Sequence, residues 1–141
     1  MSCLDLDLDD TLTGGDHSVD GLIVAMTAGA QGDFGEVCYL NSSGKWVLAD
    51  ASAAATSRAL AMVADTTIAA DASGDFLLMG FARDDTWNWT TIGGEIYLSE
   101  TAGALTQTAP TTADSVTQVM GIAIHADRMY FKPSSDIVEH V

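Results

Sequence analysis

At 141 residues the chain is the size of one ordinary domain, long enough to bury a sizeable core and too short for two. Twenty acidic residues against five basic ones set the net charge at −15, and such a field repels polynucleotides and anionic membranes. No apolar run approaches the roughly 20 residues that span a bilayer, and the N-terminus lacks a basic start and apolar stretch, so neither membrane insertion nor export is expected.

The chain opens on "LDLDLDDTL", residues 4–12. Asp7-Leu8-Asp9-Asp10-Thr11-Leu12 resembles the opening motif of haloacid dehalogenase-like phosphatases, in which one aspartate attacks phosphorus and another handles the proton. That chemistry needs alternating strands and helices, a later lysine and further carboxylates for magnesium. Here Thr13-Gly14-Gly15 follows instead of an amphipathic helix, Lys45 precedes the acidic pair Asp84-Asp85 but sits in a hairpin, and Lys132 follows that pair and cannot serve. No catalysis and no cofactor are expected.

Read as an extended strand, the same stretch puts Leu4, Leu6 and Leu8 on one face and Asp5, Asp7 and Asp9 on the other. It predicts an acidic arm over residues 1–18 that is suited to binding a partner. Residues 1–44 carry eight carboxylates and no Lys or Arg, which suits a basic protein surface or a cation. Calcium on the three aspartates is the milder alternative, since an EF-hand's turn glycine and terminal Glu are absent.

Over residues 19–141 short apolar runs alternate with Gly, Asn, Asp and Ser, the punctuation of strands and turns in one β-rich domain. Strands are predicted at 21–27, 36–40, 45–49, 59–64, 75–83, 95–99, 115–125 and 128–132, with "NSSGK" (41–45) and "SETAG" (99–103) as hairpin connections. Cys3 and Cys38 form neither a Cys-x-x-Cys pair nor a group with a nearby His pair, and read as two free thiols. His17, His125 and His140 show no ligand spacing.

Residues 50–65, "DASAAATSRALAMVAD", have alanine enough for a helix. The chain supplies a comparison: residues 35–65 and 94–127 each begin Gly-Glu-aliphatic, reach Tyr-Leu, turn at a Gly, cross a small-residue linker and close on Ala-Asp. In the second copy Pro110 interrupts the linker, so the first linker is predicted to be extended, with at most a single helical turn. Aligned on their closing Ala-Asp, the copies place Ala59 opposite Gly121. The expectation is an all-β fold, one small β-sandwich or barrel built from two divergent hairpin-plus-strand units with an extended N-terminal arm. Trp87 and Trp89 in "DDTWNWTT" face one way if extended, for packing in the core or against a partner, with sugar stacking the weaker reading.

Residues 93–136 resemble a module recurrent in structural proteins of tailed bacteriophages. The matching positions are Gly94, Tyr97, Leu98, Thr101, Gly103, Thr108, Ala109, Pro110, Gly121, Ala123, Tyr130, Phe131 and Pro133. "GKWVLADASAAATS" (44–57) also resembles small phage head decoration, or cement, proteins. The resemblance implies a virion structural protein, a decoration protein on the capsid surface that is assembled in the host cytoplasm. Its partners would be the major capsid protein and copies of itself, a homotrimer being favoured, without nucleic acid or membrane. The module occurs in tail components too, so a tail or neck appendage that touches the host is the alternative, and a phosphatase or glycan-active enzyme comes third.

Overall fold

The structure, a computed structural model, describes residues 11–141; the arm positions Leu4, Asp5, Leu6, Asp7, Leu8 and Asp9 lie outside the described residues. The fold is all-β: strands, one 3-10 turn at Ala54–Thr56 and, among the described residues, no α-helix. The alternating β/α scaffold of the phosphatases is therefore absent from residues 11–141. The 50–65 linker takes that single turn and is otherwise irregular until it re-enters the sheet.

The framework strand is β7 (Ser73–Arg83); β1 (Ser18–Thr27), β3 (Val37–Leu40), β4 (Trp46–Leu48) and β5 (Ala61–Val63) come before it, and β8 (Glu95–Leu98), β9 (Leu105–Thr106), β11 (Val119–His125) and β12 (Arg128–Phe131) after it. These make a nine-stranded sheet in the order β4-β3-β5-β7-β12-β11-β8-β9, with β1 also on β7. β1 pairs with β7 along its whole length, so the other edge of β7 is shared: Phe76 and Leu77 pair with β5, and residues 80–83 pair with β12. Two small pairs complete the fold, β2 (Gly32–Asp33) with β6 (Thr67–Ile68) and β10 (Val116–Thr117) with β13 (Val138–Glu139).

The predicted duplication is visible in the register. Leu40↔Trp46 and Tyr39↔Val47 in the first hairpin correspond to Leu98↔Leu105 and Tyr97↔Thr106 in the second. Cys38↔Ala61 and Val37↔Met62 correspond to Ile96↔Gly121 and Glu95↔Ile122. Met62↔Leu77 and Val63↔Phe76 correspond to Ile122↔Tyr130 and Ala123↔Met129, while Ile23↔Leu77 and Val24↔Phe76 correspond to Phe81↔Tyr130 and Ala82↔Met129. The repeat thus extends beyond the sequence match, because β7 ends the first unit and begins the second.

Register also corrects the alignment. The Tyr-Leu anchor holds, but Gly121 stands opposite Ala61 rather than Ala59, since ladder pairing and not the closing Ala-Asp fixes equivalence. Gly121 has φ +155, and a Cβ there would collide with the Tyr130 carbonyl oxygen.

The sheet curls into a half-barrel, and the two units close on one another through backbone bonds. Val37 N–H donates to the Gly103 carbonyl (3.1 Å), Gly103 N–H to Ala49 (2.7 Å), and Ala51 N–H to Ser99 (2.8 Å). Between them lies the main core, which joins Val37, Met62 and Leu77 of the first unit to Ile96, Ala123 and Met129 of the second. A second cluster, with Cys38, Val63 and Phe76, covers the opposite face of the first unit. Side chains alternate across a strand, so the two clusters are the two faces of one sub-sheet.

Candidate functional site

Where β7 ends, the chain turns sharply. The Asp84 carboxylate accepts the Thr86 N–H (2.9 Å) and hydroxyl (2.7 Å), and the Asp84 carbonyl accepts the Trp87 N–H (3.0 Å). An Asp that captures the backbone two residues on is a turn former, and here it sets the direction of both tryptophans. Trp87 and Trp89 share one side, with ring centroids 5.4 Å apart at 42°. Trp89 is 8% exposed and belongs to the core, its Nε1–H without a hydrogen-bond partner, whereas Trp87 is half-buried at the core's margin. Any contact with a partner falls to the open edge of Trp87.

Beside this turn, His17 stacks on Phe34 with centroids 4.6 Å apart. The ligand atoms of Asp16, His17 and Asp84 lie within 4.8 Å of one another, with Asp84 buried and the other two exposed. This grouping has no trace in sequence spacing, because Asp84 arrives by way of β7. Asp16 also accepts the Asp85 N–H (2.8 Å), tying the start of the described chain to the turn.

The same corner holds an ionic network. Arg83 Nε lies 2.8 Å from Asp85 and 3.6 Å from Asp127, while Arg128 Nε and His125 Nδ1 reach Asp127 at 3.1 and 2.8 Å. The hydrogen bond to Asp85 raises the Arg83 pKa, aided by the surrounding carboxylates. Partial burial pushes the Asp127 carboxyl up, but hydrogen bonds and charge from His125 and Arg128 outweigh it and leave the pKa lowered. Both arginines also hold the first described residues: Arg83 donates to the Leu12 carbonyl (3.2 Å) and Arg128 to that of Thr11 (2.8 Å). Leu12 is buried. The segment that carries the Leu/Asp alternation is therefore anchored at its base.

An open groove of about 510 Å³ runs between Tyr39, Asn41, Ala54, Ser57, Arg58 and Leu60 beside the first hairpin. Cys38 is a free thiol, as expected, and burial, with the charge of Glu36, pushes its pKa up to about 12. Cys3 lies outside the described residues. The arrangement therefore offers binding features: a half-buried tryptophan, the corner where Arg83 and Arg128 hold Thr11 and Leu12, and the outer face of the sheet.

No protein-family model matches the chain, and no curated protein matches it.

Proposed function

We propose that this chain is a structural protein of a tailed-phage virion, a decoration or cement protein that binds the outer surface of the head and holds it together across capsomer joints. The observation that carries the reading is the phage-module resemblance over residues 93–136, whose marked positions hold distinct posts in the second unit. Gly103 takes the hairpin turn at φ +76, Tyr97 and Leu98 lie in the ladder to β9, and Gly121 allows the close approach of β12.

A clamp that binds only the assembled lattice stabilises it by mass action, by about 2.7 kcal/mol per site when its free concentration is 100 times Kd. The partner is the major capsid protein, contacted through Leu4, Leu6 and Leu8 with Asp5, Asp7 and Asp9 turned to solvent or to basic groups, and through the Trp87 edge. The anchoring of Thr11 and Leu12 on Arg83 and Arg128 supports this role, since load on the arm passes directly into the sheet. Association of several copies would place more than one arm on the head and multiply the attachment. The chemistry calls for no cofactor, and the protein resides on the virion after assembly in the host cytoplasm.

The test is to add purified protein to mature heads that lack it. Saturable binding and greater resistance to heat or osmotic shock are expected; absence of both overturns the proposal. Labelling at the tail tip, with antibody blocking adsorption, would instead assign the chain to a tail or neck appendage.

A further inference from the structure

The tandem geometry leaves one sheet face without the cover that its counterpart has. In the first unit the row Val37–Met62–Leu77 is fully buried, packed against the second unit. The corresponding row in the second unit is Glu95–Ile122–Tyr130, and it continues through Phe81 to Asp20 by direct register pairs across five strands. Paired residues on adjacent strands share a face, so these side chains stand together on the outside.

That face is apolar at its centre and open. Ile122 is 40% exposed, and beside the row the register pair Met79 and Leu22 is 45% and 54% exposed. The Phe81 and Tyr130 rings lie 5.3 Å apart, and a groove of about 240 Å³ runs between Glu95, Val119, Ile122, Tyr130 and Lys132. Large side chains clustered on an exposed sheet face mark an interaction surface.

Charge selects the partner. Alternation along β7 and β12 puts Arg83 and Arg128 on this face to one side of the apolar row, and Lys132 to the other. Three of the chain's five cations are thus gathered here, with Lys45 and Arg58 the remainder. Elsewhere two chains of charge −15 repel one another; here Glu95, Asp20, Asp85 and Asp127 are met by nearly equal positive charge. Acids at the ends of the row and cations on its flanks make the surface complementary to itself, the requirement for a two-fold contact.

We propose that this face is the docking surface for a second copy of the chain, packed sheet to sheet over Ile122, Tyr130, Phe81 and Met79. It would bury in the second unit the face that the first unit buries within the chain. The inference goes beyond head binding and is separable from it, because a monomer that still binds heads overturns the second-copy contact and any multivalent attachment, and leaves head binding itself standing.

The experiment is sedimentation velocity on the full chain from about 1 to 100 μM, a span that covers weak to tight association. Wild type should self-associate. Ile122→Asp and Met79→Asp should each weaken association roughly 30-fold or more, as loss of a central interface residue does. Leu40→Asp, at a position 53% exposed on the first hairpin, should leave association unchanged. Circular dichroism and thermal melting establish that each variant is folded. A monomeric wild type overturns the proposal, as does association that survives both face variants. A monomer whose Ile122→Asp form loses head binding would assign the face to the capsid, and one that binds a hydrophobic dye only after deletion of residues 1–10 would assign it to the arm; either result also overturns the second-copy contact.

Discussion

Gln118 shows how side-chain chemistry closes this fold. Its amide is fully buried and acts as a piece of backbone: Oε1 accepts the Ala59 N–H (3.0 Å), while Nε2 donates to the Ala59 carbonyl (2.9 Å) and the Ser134 carbonyl (2.7 Å). The first unit's linker and the C-terminal segment are thereby joined to the second unit at one residue. Gln118→Met keeps the length and most of the volume but removes three hydrogen bonds. At about 1 kcal/mol net for each, the loss is about 3 kcal/mol, and it rises where the orphaned Ala59 groups stay dry. For a domain of this size that lowers Tm by roughly 10 °C. Urea unfolding followed by tryptophan fluorescence supplies the free energy. Gln118→Glu sharpens the test, because its carboxylate would face two carbonyl oxygens, so its deficit should shrink as pH falls and the carboxyl becomes protonated. A Gln118→Met protein within about 0.5 kcal/mol of wild type would refute the reasoning, since three buried bonds cannot be lost so cheaply.

Other outcomes follow from the same geometry. Gly121→Ala should cost about 3 kcal/mol or more by thermal melting, because the new Cβ meets the Tyr130 carbonyl at a positive φ. Asp127 has a lowered pKa, so its contribution is present above the ordinary carboxylate range and lost as pH falls through the folded value; an Asp127→Asn protein should show a weaker acid-side decline than wild type in melts from pH 6 to pH 2. In a Cys3→Ser background, Cys38 should resist a thiol reagent at neutral pH and react on unfolding, its thiol being buried and its pKa raised to about 12; rapid labelling of folded protein would contradict this. Deleting residues 1–10 should weaken head binding and leave the melting profile nearly unchanged. Extending the deletion through Leu12 should also lower Tm, because Arg83 and Arg128 lose the carbonyls they hold.

Most strands of the main sheet were legible because each is a short apolar run bounded by turn residues, and both hairpin turns through their glycines; β9, only Leu105–Thr106, was not foreseen, and the strand predicted at 115–125 divides into β10 and β11, which pair with different partners. "NSSGK" behaves as expected: Asn41 N–H donates to the Lys45 carbonyl, and the Asn41 side chain accepts the Ser43 and Lys45 N–H groups. The two-residue strands at Gly32–Asp33, Thr67–Ile68 and Val138–Glu139 carry no local pattern, since only their partners make them strands. β7 hid the true extent of the repeat for a related reason. One apolar run serves both units, and an alignment of whole copies cannot assign a strand twice. At the candidate site, the sequence brings Trp87 and Trp89 within reach of one another, but joining Asp84 to Asp16 and His17, and gathering Arg83, Arg128 and Lys132 on one face, depend on tertiary register. "LDLDLDDTL" illustrates both limits: its catalytic likeness faded on context, while its anchoring on two arginines was visible only in three dimensions.

The most direct measurement of the central claim is occupancy on the particle. Immunogold labelling of intact virions, with a binding isotherm on heads lacking the protein, should show label distributed over the head and saturable binding that raises the temperature at which heads release their contents. Label confined to the tail, or heads that neither bind the protein nor gain resistance from it, would contradict the account.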